Sequence, residues 1–448
     1  MGVEPPPHDL SPDDQEPSTP VAFRGRKLWR QLAPAVASFL AEASAKTLAF
    51  AFFVVLARFA GPGVLGGVRA ALSAAQIAAG IGVPFLTSVS RLGGSVPRAP
   101  DSGWSTTTLA PLASDLTGWL FATVLGGIVA GFAFGSPTRT GEAVFLATIG
   151  FGCSYLGTLM PKSYGMPRAL LSINLGGNAA QLLVLGLLIL ALPDAVNVNV
   201  VVAVYACAFI LPVVTSKSLR PFMGLRLTEI STLAREVIVK RGDYLSQFAQ
   251  HISHVLMVNL DLLVLSVVAS SQTLGQYAAV KSLLMIVLLP ATALFHLLLP
   301  AAVRRLMGVT TSDDRHILWI GFAGIAVAGA GALLLGGPLM TTLYGPRFSG
   351  LGPAVAWGAI GAALYGLSLL RGAVWIARRE TGRFSAIVAG AAILGAGVLF
   401  LFPTLETTLG AARVWAITAA CQAVTLGLFE TTLKRRPLAG TVPGPVDG

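Results

Sequence analysis

Along this chain, long apolar runs alternate with short clusters of Gly, Pro, Ser and basic residues. A helix needs about 20 largely apolar residues to cross the hydrocarbon core of a bilayer. Twelve segments meet that requirement: 34–57, 66–89, 112–134, 142–160, 170–191, 198–216, 244–267, 275–300, 316–336, 353–376, 384–402 and 411–432. Glycines and polar residues thin the apolar density of the third and fourth. The longest internal connection runs from Lys217 to Asp243 and divides the segments into two sets of six. The pattern therefore predicts a disordered tail over 1–30 that ends in a basic juxtamembrane stretch. A six-helix lobe over 31–216, a basic cytoplasmic linker over 217–243, a second lobe over 244–433 and a flexible tail over 434–448 follow.

The two sets echo each other in sequence. With Gly66 laid on Gly275, "VVLARFAGPGVLGGVRAALS" matches "LVLSVVASSQTLGQYAAVKS" at Leu56/Leu265, Ala60/Ala269, Leu65/Leu274, Ala70/Ala279 and Ser73/Ser282. In each, a helix leaves the membrane, a short turn-rich loop ends in Leu-Gly, and a helix re-enters. Halves of even span number that start on the same side are parallel repeats about an axis along the membrane normal. The expected fold is thus an all-α polytopic membrane protein with about twelve transmembrane helices in two such lobes around a central cavity.

Composition agrees. The chain is 54% hydrophobic and 11% charged, with mean hydropathy +0.75, far from an ordinary soluble domain. Its 50 glycines fit the small residues that let membrane helices pack closely. The first twenty residues are acidic and Pro-rich and do not read as a signal peptide. Cys153, Cys207 and Cys421 all lie in apolar segments and read as small buried hydrophobes, with no disulfide or metal framework.

The net charge of +11 would suit nucleic-acid binding if it were gathered on one surface. Instead, 23 of the 31 Lys and Arg fall at one set of helix ends and five, Arg58, Arg69, Arg139, Arg347 and Arg413, at the other. Lys46, Lys281 and Arg371 lie inside spans. The asymmetry follows the positive-inside rule, places both termini in the cytoplasm of a multi-pass cell-membrane protein, and leaves nucleic acid out as a partner.

Three stretches resemble a known superfamily. "ARFAGPGVLGGVRAALSAAQIAAGIGVPFLTSVSRL" resembles the first helix pair of polysaccharide exporters, where Ala-Arg and Gly-Pro precede a long small-residue helix. "NLDLLVLSVVASSQTLGQYAAVKSLLMIVLLPATALFHLLLPAAVRRL" resembles their seventh and eighth helices, with Asn-x-Asp before an apolar run and Leu-Gly-x-Tyr-x-Ala after it. "LYGPRFSGLGPAVAWGAIGAALYGLSLLRGAVWIARRETGR" is similar to their late Gly-x-x-Phe loop and tenth helix. The superfamily is that of the multidrug/oligosaccharidyl-lipid/polysaccharide exporters, and within it the Wzx-type flippases, over roughly residues 28–435. The resemblance implies two lobes in a V around a cavity. The implied substrate is a polyprenyl-pyrophosphate-linked oligosaccharide carried to the outer leaflet for polysaccharide biosynthesis. Glycan polymerase and glycosyltransferases are the protein partners it implies. No individually diagnostic substrate residue has a counterpart here.

Ionisable groups inside a bilayer cost enough to need a reason, either a partner or a function. Glu42 and Lys46 stand at i, i+4 in the first span, acid before base, which is the favourable order. They form either a self-neutralising pair or a cavity-facing one whose lysine meets a diphosphate. In "QFAQHISHVLMVNLD", Gln247, Gln250, His254 and Asp261 share a face with Asp243, and His251 flanks it. A helix bathed in lipid would not carry that stripe, so it is expected to line a wet cavity. At about 1.5 Å per residue, Lys46 and His254 lie roughly 18 and 15 Å into spans that cross a core of about 30 Å. His254, with an ordinary imidazole pKa near 6.5, would add a pH-dependent donor. Asp261 and Lys281 fall at similar depth on successive helices and are expected to pair. Arg371 is close enough to a helix end to snorkel.

The candidate substrate-binding set is therefore Lys46, Glu42, Arg69, His254, His251, Gln247, Gln250, Lys281 and Arg371, with Asp243 and Asp261 as candidates for ion coupling. The His-x-x-His spacing lacks the further ligands of a metal site. "GFAGIAVAGAGALLLGG" follows no strand and is packing rather than a dinucleotide loop, and no Walker sequence occurs. No cofactor or catalytic residue is expected, and an ion gradient or membrane potential would supply the energy. The alternatives are an ion-coupled antiporter of the multidrug-extrusion branch, which needs acidic groups in its cavity, and a membrane-embedded sugar transferase, whose candidate acids would be Asp194 and Glu406 in short outer loops.

Overall fold

The computed structural model describes residues 21–87, 106–134, 140–163, 167–216, 219, 241–292, 294–295, 313–378 and 380–434. Most of the predicted linker and both far ends of the chain lie outside them, as do His296 and the side chains of Glu42 and Asp243, and α6 takes up the last three positions assigned to the linker. The described residues form helices and short turns, with no strand. In chain order the helices are α1 (Val21–Gly80), α2 (Thr106–Phe134), α3 (Thr140–Ser163), α4 (Pro167–Ala191), α5 (Val198–Thr215) and α6 (Arg241–Val268). They continue with α7 (Ser271–Val287), α8 (Asp313–Leu339), α9 (Gly352–Ala377), α10 (Thr381–Leu401) and α11 (Thr408–Lys434). Ten helices among the described residues are long and apolar enough to cross a membrane. The chain is a multi-pass membrane protein.

Two expectations change. The first two predicted spans are joined by a kink and not by a loop. A straight helix of 60 residues would run about 90 Å, three bilayer cores. It turns at Gly61, whose φ of 82° lies in the left-handed region that a side chain disfavours. The reversal shows in the Arg69 guanidinium, which lies 4.6 Å from the Phe53 ring centroid, although the two are sixteen positions apart in sequence. α1 also begins at Val21, so helix occupies part of the predicted N-terminal tail.

The eighth predicted span is interrupted within its described part: α7 ends at Val287, a turn follows at Leu288, and 289–292 and 294–295 are again helical.

Local chemistry explains the other ends. The side chains of Asn197 and Ser270 accept from the backbone N–H groups of Val200 and Thr273, capping α5 and α7. Pro338 ends the regular part of α8, and a π-helical turn, Met340–Tyr344, carries the chain to a positive-φ Gly345.

Large apolar side chains such as Phe132, Leu190, Val327 and Leu334 face outward, while many alanines pack inside beside larger groups such as Phe52, Leu56 and Trp375. This arrangement suits lipid: hydrocarbon gives helices no hydrophobic reason to associate, so close contact at small residues contributes. It also corrects the reading of the cysteines. Cys153 is buried, but Cys207 and Cys421 are exposed, as a small apolar group in lipid can be.

α1 packs on α2 through α5, and α2–α3, α3–α5 and α4–α5 pack together. A second group joins α6–α10, α9–α11, α8–α9 and α10–α11. α1 meets α6 and α7 across the division. At one close approach there, Gly275 meets Pro62 and Gly66, and Gly66 and Gly275 are the positions that the internal alignment superposes. A Cβ on Gly275 would stand 1.8 Å from the Pro62 carbonyl oxygen, and one on Gly66 would stand 2.8 Å from the Gly275 nitrogen.

Candidate functional site

The polar stripe of α6 divides between two neighbours. Gln247, His251 and Asn259 turn toward the second segment of α1 and its continuation. The Thr87 hydroxyl donates to the Gln247 amide oxygen. The His251 ring packs against Gly80 and stands edge-on to Tyr155 of α3, with centroids 5.2 Å apart. Ser73 donates to Asn259 Oδ1 at 3.0 Å, and Asn259 Nδ2 donates to Gln76 Oε1 at 3.2 Å. The Tyr155 hydroxyl lies beside the Gln76 amide, short of good hydrogen-bond geometry. Nearer the start of α6, Tyr244 donates to the Asp115 carboxylate of α2.

His254 and Asp261 instead face other helices of the second group. His254 hydrogen-bonds through Nδ1 to the Tyr365 hydroxyl of α9, its ring stacked on that phenol at 5.7 Å. Lys281 is fully buried and bonds the Asp261 carboxylate. Tyr277 donates to the same oxygen, and the other accepts from the Leu262 N–H at 2.8 Å. The Lys281 ammonium also sits 4.6 Å from the Trp415 ring centroid. Carboxylate, ammonium, phenol and indole thus satisfy one another, which is what a buried ion pair needs in order to persist.

Arg69 stands near this cluster, within electrostatic reach of Asp261, Tyr205 and Tyr344, and over the Phe53 ring. Its Nε is buried and makes no hydrogen bond. The Asp261 carboxylate is already engaged by Lys281, so the Arg69 charge is in excess. Lys46 donates to the Thr292 hydroxyl at 3.0 Å and lies within electrostatic reach of His254. Gln250 is half-buried, and its backbone carbonyl accepts from Ser253 at 2.9 Å. Arg371 is half-exposed, 3.9 Å from the Glu430 carboxylate on α11.

The structure therefore brings Lys46 near His254, and Arg69 near Asp261 and Lys281, and sets Arg371 apart. Sequence reasoning passed over Ser73, Gln76, Tyr155 and Tyr365. An amide in the apolar second span was the available signal for Gln76. The tyrosines gave none, since a phenol at helical spacing reads as packing. Among the described residues no group of His, Cys, Asp and Glu has the makings of a metal site.

No family model and no curated protein matches the chain. Solved structures do. The lipid II flippase MurJ, in an inward closed conformation, superposes with a TM-score of 0.59 at 12% identity, covering 89% of this chain and 87% of that one. The MATE multidrug transporter DinF-BH, solved as a ligand complex, superposes with a TM-score of 0.60 at 16% identity over 93% and 96% of the two chains. An inward-facing MATE family transporter of the MOP superfamily gives 0.58 at 11% identity over 87% and 95%. Likeness at such low identity speaks for the arrangement of helices alone, and by that arrangement the chain has the fold of the MOP-superfamily transporters.

Proposed function

We propose that this protein flips a polyprenyl-pyrophosphate-linked oligosaccharide from the cytoplasmic to the outer leaflet by alternating access, for cell-surface polysaccharide synthesis. The two six-helix lobes are part of this proposal, as are the cytoplasmic termini. The observation that carries it is a cation beside the buried ion pair. Lys281 and Asp261 neutralise each other, and the Arg69 guanidinium stands beside them as a further cation, while Asp115, buried on α2, lies apart against Tyr244. A cation at that place favours a diphosphate headgroup over an organic cation.

Lys46 supplies the fixed charge that the pyrophosphate meets on leaving the headgroup region. Glu42, one turn away, holds that lysine when no substrate is present, so release stays possible. His254 contributes a second donor. In this scheme Asp261 is committed to Lys281, so ion coupling through it requires that pair to open.

An ion-coupled multidrug antiporter is the second reading, favoured by the equal likeness of the fold to MATE transporters. Purified protein in vesicles holding a fluorescent polyprenyl-pyrophosphate oligosaccharide separates the two. The flippase exposes the inner-leaflet lipid to an external quencher. Unchanged exposure, together with uptake of a cationic dye, selects the antiporter.

A further inference from the structure

Ser73, Gln76, Tyr155, His251 and Asn259 form a continuous run of neutral hydrogen-bonding groups at a place where membrane helices usually meet through small apolar residues. The run lies where the second segment of α1 meets α6, with α3 behind it. Ser73 and Asn259 are buried, whereas Gln76, Tyr155 and His251 are only half-buried. The His251 Nε2 is enclosed and has no hydrogen-bond partner, and Gly80 leaves the ring its room. One turn along α6 lies His254, within electrostatic reach of both His251 and Lys46. His254 itself turns from the strip toward Tyr365 of α9, so the Lys46 ammonium lies beside the neighbouring face of the same helix, where it donates to Thr292.

We propose that this strip is the sugar-reading subsite, which binds glycan hydroxyls while Lys46, beside the neighbouring face of α6, holds the pyrophosphate. The inference rests on the substrate reading given above and extends it to recognition of the sugar. Its chemistry follows from the headgroup, where a diphosphate is joined directly to a ring bearing hydroxyls. Amide, phenol and imidazole groups both donate and accept, as hydroxyls do, and none would add to the charge. In the closed seam Ser73, Asn259 and Gln76 satisfy one another, while the Tyr155 hydroxyl and the His251 Nε2 stay without a partner. Parting α1 from α6 leaves them without partners in a water-poor interior, where hydroxyls of the incoming sugar restore what was lost. The seam then closes behind the released glycan by regaining its own bonds.

The test is binding to the full chain in nanodiscs of two probes, a short-chain polyprenyl pyrophosphate alone and the same lipid carrying a disaccharide. The wild type is expected to prefer the sugar-bearing probe by about tenfold, as one or two added hydrogen bonds would give. Asn259→Ala and the shape-preserving Gln76→Met are expected to bring that ratio close to one, and Lys46→Ala to weaken both probes while the ratio stays. Melting temperature without lipid identifies any variant that has lost its fold, and Gln76→Met then carries the comparison. A wild type that binds the probes equally overturns the subsite alone. So does a folded Gln76→Met that keeps the ratio. A wild type that binds neither probe overturns the subsite and the flippase reading together.

Discussion

At the scale of single residues, the charges inside the membrane divide into a structural pair and candidates for work. Lys281 and Asp261 are structural. Lys281→Met should strand the buried carboxylate and destabilise the protein by about 3–5 kcal/mol, whereas Lys281→Met with Asp261→Leu should recover much of that loss. Thermal melting of the purified variants measures both. Lys46 is assigned to substrate. Lys46→Ala should abolish glycan export at matched membrane abundance, and Lys46→Arg should keep part of it. Wild-type export by Lys46→Ala would reduce that lysine to a structural role. The Lys281–Asp261 pair was legible in sequence because depth along two successive helices can be counted from the span ends. The split of the α6 stripe was not. A face repeating every three or four residues says which side chains travel together, but not that His254 meets a phenol of α9 while Asn259 meets an amide of α1.

At the scale of elements, α1 and α7 cross in close contact at Pro62, Gly66 and Gly275. Gly275→Ala would drive a methyl group into the Pro62 carbonyl, so the helices must part. A loss of about 1–3 kcal/mol, or failure to insert, is expected, and a variant melting as wild type would show that the crossing can yield. Gly61→Ala combines a strained positive φ with a contact of 2.9 Å to the Arg347 guanidinium and should cost a similar amount. Hydropathy alone located nearly every helix, because length and apolar content are all that a bilayer demands. It could not show that spans one and two share a kinked helix, since the deciding term is the backbone angle of one glycine. The pairing of Gly66 with Gly275 was visible only as a faint repeat, and their contact gives that repeat a place in the fold.

At the scale of the molecule, the distribution of basic residues makes a claim that the packing of helices leaves open. Reporters fused after residues 100, 165, 230, 310, 380 and 436 should report cytoplasm, and those near 62, 138, 195, 271, 346 and 407 the outside. An external signal from a fusion within 217–243 would break the two-lobe scheme. The fold does not choose a cargo, since the same arrangement of helices occurs in a lipid flippase and in a drug transporter. The cargo is argued from the cation at Arg69 and the Lys46 ammonium. The most direct measurement is therefore the fate of the lipid in cells deleted for this protein. The account predicts that lipid-linked oligosaccharide accumulates in the inner leaflet and surface glycan falls, with resistance to cationic dyes unchanged. Normal surface glycan with heightened dye sensitivity would contradict it.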